Sequence, residues 1–548
     1  MKTTPASWIP LLLAAAMASG AQPLTIPSLK AWKGAEGEYA FTAESRIVLG
    51  PAASDLERTA RVLARDIGFQ SGTAPTVVRE GARAGDILLS IDAKAEVANA
   101  EGYLMDISDR VEIRSRTEAG VFYGTRTLLQ LLQPRRSVAR GAIRDWPDYR
   151  ERGLMVDVGR KYFTVGWIKD QIVDMAYAKM NLLHLHFSDD LGIRLESVKH
   201  REIVSAQFYS KQQIQDILAI AAEYHVAIIP EIDVPGHTGW LRNAYPELIL
   251  GKSEVGTYFM DITRPEARAL VRDLLEEFIP LFPGPYWHMG ADEYIGAANY
   301  PKYPQLESYA KAQYGPGAVG YDAYLGFIAW VHSLVKARGK TLRTWADAYE
   351  YHVLSPSSPF PLDTSIVQEP WNAFEDPKAM LASGFSLQNA SFRPTYYNLG
   401  GYKGEETLLY RDWAPHTHLG GWERDGWGYP ITVDSLHPKL LGAKLSVWCD
   451  NPDAESEEEV AAGIYGRLRA IAQNSWGAPK LAADFGEFRS LMDSLGRAPG
   501  YGKGPSLGLL PTRRRPTRVR KPHSHDLLGR RAVKAMLPSG ISRGTPPR

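Results

Sequence analysis

The alternation of apolar and polar residues changes its character near residue 150. Before that point a helical period runs from Asp55 to Gly68, and two apolar runs, YLMDI and VEIRS, are separated by three residues that predict a hairpin. A second helix is apolar over Glu118 to Leu132. These elements predict a small α+β domain over residues 22–147.

From Arg152 onward, short apolar runs alternate with helical periods such as WIKDQIVDMAYAKM. Both a doubly wound open sheet and a (β/α)8 barrel produce this alternation of strands and helices. A count of eight strands favours a TIM barrel, an α/β fold, over residues 148–498. The candidate strands are GLMVDVGR, NLLHLHFSD, HVAIIPEIDVPG, YWHMGADEY, LRTWADAY, SIVQEPW, LQNASFRPTYY and GAKLSVWCD.

Most of these candidate strands end in polar or aromatic residues after an apolar body. In (β/α)8 barrels the active site is assembled at the C-terminal ends of the strands. Three Trp, several carboxylates and an Arg around one pit suit a sugar, because aromatic faces stack on a pyranose and charged groups bind its hydroxyls. The residues at these ends are Arg160, His184, His186, Asp189, Asp233, His237, His288, Asp292, Glu293, Trp345, Asp347, Trp371, Tyr396, Asn398, Trp448 and Asp450.

Two adjacent carboxylates, Asp292 and Glu293, end the run WHMGADEY. Burying two negative charges is costly unless a site uses them. An ordinary retaining glycosidase places its acid and its nucleophile on opposite sides of the scissile bond, which is awkward for neighbouring residues of a strand. The pair instead suits the exception in which the substrate supplies its own nucleophile, as a 2-acetamido sugar can through its carbonyl oxygen.

Several ordered motifs carry a resemblance to a known family. They are DVGRKYF, HLHFSDD, EIDVPGHT, HMGADEY, TWADAY, YYN and WCD. Over about residues 25–475 the chain resembles glycoside hydrolase family 20, the β-N-acetylhexosaminidase family, including its small first domain. GADEY together with WCD is also similar to the lacto-N-biosidase branch, which releases a disaccharide.

The resemblance implies a role for each of three catalytic residues. Glu293 would be the general acid that protonates the leaving oxygen and then the base for water. Asp292 would hold the acetamido N–H and stabilise an oxazolinium-like intermediate. Tyr396 would bind the acetamido carbonyl oxygen and orient it for attack. The implied reaction is retaining hydrolysis of terminal 2-acetamido-2-deoxy-β-hexosides, and neither a cofactor nor a metal is expected.

The resemblance also implies a set of binding residues. Arg160 and Asp450 would hold sugar hydroxyls, and the three Trp would wall the acetamido pocket and the sugar face. The full predicted binding set is Arg160, Asp189, His237, Trp345, Trp371, Asn398, Trp448 and Asp450, with Asp233 beside Asp189 and His237 as polar support.

Three positions depart from the family pattern. Ala291 stands where a second Gly is usual, Asn398 where Asp is often found, and Asp450 where a longer Glu is usual. The shorter Asp450 leaves room beside O4 and O6 of the sugar. The similarity of GADEY and WCD to the lacto-N-biosidase branch leaves the size of the substrate open between a monosaccharide unit and lacto-N-biose.

Two other functions stay open from the residues. His184 and His186 form an H-x-H that, with His237, His288 and Asp450, resembles the ligands of a metal-dependent amidohydrolase. In that class, however, the H-x-H belongs on the first strand, and here it follows the second. A sugar-binding protein on a decayed scaffold would be expected to lack Asp292 or Glu293, and both are present.

Composition and the two ends complete the picture. A net charge of +1 argues against nucleic acid as the main partner. The predicted tail, residues 499–548, is nevertheless strongly basic and rich in Gly, Pro and Arg, and we expect it to be disordered. Residues 1–21 resemble a cleavable signal peptide too short to span a membrane, so we expect an exported protein, periplasmic or secreted. With Cys449 as its single cysteine, the chain cannot form an internal disulfide.

Overall fold

The computed structural model describes residues 20–50, 54–133, 135–354, 358–372, 376–419 and 430–503. Its first domain is a seven-stranded sheet against which the helices Glu57–Ser71 and Glu118–Leu132 pack. The predicted hairpin and both predicted helices are present, which confirms the small α+β domain. In chain order the strands are Ala31–Ala40, Ile47–Leu49, Val77–Val78, Ile87–Ile91, Tyr103–Ile107, Val111–Ser115 and Ser137–Asp145.

The second domain is a closed parallel barrel, as predicted. Within the described residues eight strands follow one another around the ring, and the eighth pairs with both the first and the seventh. We number them barrel strands 1 to 8. They are Glu151–Asp157, Leu182–His186, Ala227–Glu231, Tyr286–His288, Thr341–Trp345, Val367–Glu369, Leu387–Asn389 and Leu440–Trp448.

Helices cover the outside of the barrel, and several begin at a capping residue that the sequence supplies. Ser210 and Ser456 each form a capping box, with Gln213 and Glu459 respectively, which satisfies backbone N–H groups of the first turn. The α-helices of this part of the chain are Val165–Tyr177, Lys211–Glu223, Pro265–Phe278, Pro304–Tyr314, Gly320–Ala337, Ala348–Leu354, Pro377–Ala382, Phe392–Thr395, Glu406–Arg411, Glu457–Trp476 and Phe485–Leu495.

Short accessory strands lie on the loops beyond the C-terminal ends of the barrel strands. They are Ser188–Asp189, Gly192–Leu195, Val204–Tyr209, Ile249–Lys252, Tyr258–Met260, Tyr396–Asn398, Thr417–His418 and Ile431–Thr432. Of the helices in the described ranges, none has both the length and the apolar composition that a bilayer crossing requires.

The predicted seventh strand, LQNASFRPTYY, is wrong as a single strand. Barrel strand 7 ends at Asn389, and a separate strand begins at Tyr396. The chain turns between them because Asn389 accepts hydrogen bonds from the N–H and hydroxyl of Ser391, and because Pro394 has no N–H to give to a sheet. Both short strands pair with the same edge of barrel strand 8, which places Tyr396 directly beside its C-terminal end.

The interior of the barrel is charged rather than apolar. Arg343 donates to both oxygens of Glu151, at 3.0 Å each, and to Glu369 at 2.7 Å, while Lys444 also contacts Glu369. All four side chains are buried. Buried charges are tolerated only where partners with good geometry surround them, so this layer fixes the register of barrel strands 1, 5, 6 and 8.

The chain beyond the last helix stays in contact with the barrel up to the end of the described residues. Arg497 and the N–H of Ala498 both donate to buried Asp174, at 2.8 and 3.0 Å, and the hydroxyl of Tyr501 lies 3.1 Å from Gln171. Tyr501, which lies in the part assigned to the tail by sequence, therefore contacts helix Val165–Tyr177. Residues 504–548 of the predicted tail and residues 1–19 of the predicted signal peptide lie outside the described residues.

Two truncations should separate the tail from this contact. Ending the chain after Lys503 is expected to leave activity and the melting temperature nearly unchanged, because the removed residues are basic and poor in large apolar side chains. Ending it after Leu495 removes two donors from Asp174 and should lower the free energy of unfolding by about 1–3 kcal/mol. Thermal and urea unfolding of both variants check this. Equal loss of stability in both would show that residues beyond 503 support the fold.

Candidate active site

Asp292 and Glu293 lie in a left-handed turn rather than at the end of a strand. Barrel strand 4 ends at His288, and Gly290, Ala291 and Glu293 have φ of 72°, 72° and 46°. A Cβ at Gly290 would lie 1.7 Å from Asp233 Oδ1, so only glycine fits there. Neighbouring residues of a strand face opposite ways, but in this turn they need not. Both carboxylates therefore reach the imidazole of His237.

Ala291 occupies a conformation that costs an alanine about 1 kcal/mol relative to glycine. Its N–H donates to Asp233 Oδ1 at 3.1 Å, and its carbonyl accepts from the hydroxyl of Tyr324. These two hydrogen bonds hold the strained turn. They give the departure from the usual Gly-Gly a physical meaning: the site tolerates the strain because the surrounding structure determines the backbone.

His237 joins the two carboxylates. Its Nε2 lies 3.5 Å from Asp292 Oδ2 and 3.3 Å from Glu293 Oε2, and its Nδ1 lies 3.2 Å from Asp189 Oδ1. Burial disfavours the imidazolium, but the charges of Asp189 and Asp292 raise the pKa of His237 well above its usual value. A cation therefore sits between the three acids.

The two adjacent carboxylates have different environments. The side chain of Glu293 is 42% exposed. Burial of the rest would raise its pKa, but its hydrogen bond to His237 holds the pKa below the ordinary value. Asp292 is only 7% exposed, and burial raises its pKa, with His237 opposing the shift and Glu231 and Glu293 adding to it. Pairs of acids whose pKa values are pushed apart are typical of catalytic sites.

Asp233 lies beside Asp292 and is fully buried. Burial and the charge of Asp292 raise the pKa of Asp233 well above its usual value, which favours the neutral form of this carboxyl. Side-chain atoms of Asp233, His237 and Asp292 lie within 4.8 Å of one another. The three groups form one electrostatic unit.

Asp347, which follows barrel strand 5, connects Glu293 to the aromatic wall. It accepts from the N–H of Glu293 at 3.2 Å and from Trp371 Nε1 at 2.7 Å. Sequence analysis placed Asp347 at a strand end without giving it a role. Burial, and then the charge of Asp292, raise the pKa of Asp347 to about 7.

This shift predicts a pH dependence of stability. An unfolded Asp loses its proton near pH ~3.9, so between about pH 4 and pH 7 the native state holds a proton that the unfolded state has lost. The unfolding free energy of the wild type, relative to Asp347→Asn, should therefore fall as pH rises through that window. Urea unfolding of both proteins at pH 5 and pH 8 measures the difference. A difference that stays constant or grows with pH would contradict the assignment.

Aromatic side chains form the wall of the pit. Trp345 and Trp448 lie with ring centroids 5.5 Å apart, and Trp371 stacks on Tyr396 at 6.4 Å with planes 12° apart. Met155 and Phe392, which sequence analysis did not single out, pack into the same cluster. Met155 lies inside barrel strand 1 and has no motif to mark it, so only the closed barrel brings it under the tryptophans.

Arg160 lies at the opposite side of the pit from Asp347 in the strand order. It donates to Asp157 at 2.9 Å and lies 3.0 Å from Asp189 and 3.5 Å from Asp450. Asn398 Nδ2 donates to Asp450 Oδ2 at 2.5 Å. Asp450 is 58% exposed, so this corner of the pit opens to solvent. Asp157 was missed by sequence analysis although it lies inside the motif DVGRKYF.

The structure thus brings the predicted residues together around one pit at the C-terminal face of the barrel. A model of the glycosyl hydrolase family 20 catalytic domain matches residues 149–479, and a model of domain 2 of that family matches residues 22–146. The chain belongs to glycosyl hydrolase family 20.

Curated relatives include a lacto-N-biosidase and a β-N-acetylhexosaminidase. The lacto-N-biosidase of Bifidobacterium bifidum is 30% identical over 488 residues, which cover 87% of this chain and 42% of that enzyme. The β-N-acetylhexosaminidase of Cellulomonas fimi is 28% identical over 470 residues, which cover 80% of this chain and 85% of that enzyme. The chain therefore spans less than half of the bifidobacterial protein and most of the Cellulomonas protein.

Solved structures share the family 20 fold with this chain. An exo-β-N-acetylglucosaminidase of Vibrio harveyi in complex with N-acetylglucosamine has a TM-score of 0.71 at 20% identity and covers 86% of this chain and 76% of that one. An N-acetyl-β-hexosaminidase of Streptomyces plicatus in complex with Thio-NAglucal has a TM-score of 0.67 at 24% identity, with 88% and 95% covered.

The histidines of the H-x-H pair are not arranged as the hypothesis of a metal-dependent amidohydrolase requires. His184 Nδ1 lies 2.9 Å from the Lys444 ammonium, which also contacts Glu369. The side chain of Lys444 therefore already contacts the atoms of His184 and Glu369 that could bind a metal. Burial and Lys444 lower the pKa of His184 to about 3. Asp450 lies with Arg160 and Asn398 instead of with His237 and His288, and that proposed ligand set is not assembled among the described residues.

Chelation tests the remaining possibility of a metal. The rate of hydrolysis of an N-acetyl-β-glucosaminide is expected to be unchanged after exhaustive treatment with EDTA and 1,10-phenanthroline. The carboxylates of Asp292 and Glu293 would supply the acid and the electrostatic stabilisation without a metal ion. The assay compares treated enzyme before and after addition of Zn²⁺. Loss of activity that zinc restores would support the amidohydrolase chemistry.

Proposed function

We propose that the protein is a retaining exo-β-N-acetylhexosaminidase that hydrolyses terminal 2-acetamido-2-deoxy-β-hexosides by substrate-assisted catalysis. One observation carries this proposal: adjacent Asp292 and Glu293 both reach His237 in a pit whose wall contains three Trp and a Tyr. Two carboxylates that reach the same imidazole are poorly placed to flank a glycosidic bond, which favours attack on the second face by the substrate itself.

In the first step the acetamido carbonyl oxygen attacks C1 while Glu293 donates its proton to the departing oxygen. Asp292 accepts a hydrogen bond from the acetamido N–H and balances the positive charge that develops on the oxazolinium ring. Tyr396 and the tryptophans Trp345, Trp371 and Trp448 hold the acetamido group against C1. In the second step the Glu293 carboxylate removes a proton from water, whose oxygen attacks C1, displaces the acetamido oxygen and restores the β configuration.

Glu293 must carry a proton at the start of this cycle. In the free site its hydrogen bond to His237 lowers its pKa. A sugar bound in the pit would cover the exposed part of this side chain, and removing water disfavours the carboxylate and raises the pKa. Substrate binding itself therefore prepares the acid.

A disaccharide-releasing specificity is the second candidate, and two observations favour it. The lacto-N-biosidase is 30% identical to this chain, and Asp450, at the Arg160 corner of the pit, is short and more than half exposed. An open corner beside the hydroxyls of the reacting sugar leaves space for a further sugar on its non-reducing side.

Parallel assays of two chromogenic substrates test both functions. A p-nitrophenyl N-acetyl-β-glucosaminide reports release of a single sugar, and the matching lacto-N-bioside reports release of the disaccharide. Faster hydrolysis of the first supports the hexosaminidase, and faster hydrolysis of the second supports the lacto-N-biosidase. Inactivity on both would contradict the proposed function.

Export stays a prediction that rests on the composition of residues 1–21. Separation of periplasmic, secreted and cytoplasmic fractions, followed by N-terminal sequencing of the isolated protein, tests it. Cleavage near residue 21 in an exported fraction is the expected result.

A further inference from the structure

Glu231 ends barrel strand 3 and is fully buried beneath the pit. Its two carboxylate oxygens have different partners. Oε1 accepts from Trp345 Nε1 at 2.9 Å, and Oε2 accepts from His186 Nδ1 at 2.6 Å. One carboxylate thus ties two separate parts of the site together.

The first partner is the wall of the acetamido pocket. Trp345 is 1% exposed and lies against Trp448, so its indole N–H depends on a buried acceptor. The bond to Glu231 fixes the rotation of the indole ring in its plane. Without it the ring would keep its apolar contacts but lose the polar constraint that sets its angle in the pocket.

The second partner leads to the acid. His186 Nε2 lies 2.9 Å from Asp189 Oδ2, and Asp189 continues through His237 to Glu293 at 3.2 and 3.3 Å. Although burial disfavours the imidazolium, the carboxylates of Glu231 and Asp189 raise the pKa of His186 to about 10. Both ring nitrogens therefore donate, Nδ1 to Glu231 and Nε2 to Asp189. The position of Glu231 thus sets the position of Asp189 through the His186 ring.

Other charged and titratable groups close the space around Glu231. His184 Nε2 lies 2.9 Å and His288 Nδ1 lies 3.0 Å from its oxygens, with Lys444 behind His184. Glu369 lies 3.5 Å from His288, and Asp233 lies near His186 on the remaining side. A residue needed only for packing could be apolar here at lower cost, because a buried carboxylate must have its desolvation offset by partners.

We propose that Glu231 is a positioning residue that sets the acetamido pocket and the general acid at the same time. It touches neither the sugar nor the reacting atoms and acts through Trp345 on one branch and through His186 on the other. The inference rests on the proposed function and adds to it a residue that couples binding of the acetamido group to orientation of Glu293.

The test uses Glu231→Gln with two variants that each cut one branch, Trp345→Phe and His186→Asn. Each is assayed with an N-acetyl-β-glucosaminide of a good leaving group, p-nitrophenol, and of a poor one, an alcohol. Glu231→Gln should lower kcat by about 10²-fold on both substrates, since small misplacements at a reacting centre have effects of that size. It should lower kcat further on the poor leaving group.

The single-branch variants should divide this pattern. Trp345→Phe should slow both substrates by the same factor, because both need the internal nucleophile. His186→Asn should slow the alcohol glycoside more, because only that substrate needs full proton donation. If Glu231→Gln does not fold, as judged by circular dichroism, the division between the single-branch variants still supports or refutes the proposal.

Two results would overturn the inference. One is a folded Glu231→Gln that keeps kcat within about 3-fold on both substrates, well short of the expected loss. The other is the same leaving-group dependence in both single-branch variants. A wild-type enzyme inactive on both substrates would remove the proposed function and this inference together, whereas an active wild type with either result above would remove the inference alone.

Discussion

Glu293→Gln is expected to reduce hydrolysis of alkyl and sugar glycosides by about 10²–10⁴-fold, the usual size of general acid catalysis. A nitrophenyl glycoside should lose far less in the first step, because an activated phenolate departs with little protonation. The variant keeps the shape of the side chain, so binding of the sugar should change little. Steady-state kinetics with a graded series of leaving groups measures the effect as a steeper dependence of kcat/KM on leaving-group pKa.

Azide provides the control for this prediction. The small anion needs no base, so with Glu293→Gln it should speed breakdown of the intermediate and give a β-glycosyl azide. An equal loss for all leaving groups, with no effect of azide, would contradict the role of Glu293 as the acid and base.

Asp292→Asn is expected to lower kcat by about 10²-fold or more for good and poor leaving groups alike. The variant loses the charge that stabilises the oxazolinium ring and weakens the orientation of the acetamido group, and every substrate needs both. The neighbouring Asp233→Asn is a matched control. Burial and the charge of Asp292 favour the neutral form of Asp233, so replacing it by a neutral amide should cost much less activity.

The configuration of the glycosyl azide that Asp292→Asn forms shows whether Asp292 is the enzyme's nucleophile. Asp292→Asn removes no nucleophile from the far face of the sugar, so azide should not rescue it as an α-glycosyl azide. An α-azide from this variant would show that Asp292 is an ordinary enzyme nucleophile.

The barrel and most of its strand-end residues could be predicted because they depend on patterns that a single chain displays. Alternating apolar runs and helical periods led to the eight strands, and polar residues after the apolar bodies marked the face of the site. Trp345 and Trp448 were placed correctly because barrel strands 5 and 8 end at these residues. The rule that site residues lie at the C-terminal ends of barrel strands requires only that each strand end be recognised in the local sequence.

The turn at Asp292 could not be predicted in the same way. The sequence favours a strand through Tyr294, but Gly290 must pass over Asp233, which is 57 residues earlier in the chain, and the chain turns left-handed to do so. The buried partners of Arg343 and Lys444 were hidden for the same reason: Glu151 is 192 residues away from Arg343 in sequence. Close approach between distant segments decides these features, and local propensity carries no signal of it.

The most direct test of the account varies the nucleophile inside the substrate. Substrates in which the acetyl group carries one, two and three fluorine atoms have a progressively weaker carbonyl nucleophile with almost unchanged size. If the substrate attacks its own C1, kcat should fall steeply and steadily along the series while retention of configuration is kept. A kcat that does not depend on fluorination, or a sugar covalently trapped on Asp292, would contradict substrate-assisted catalysis.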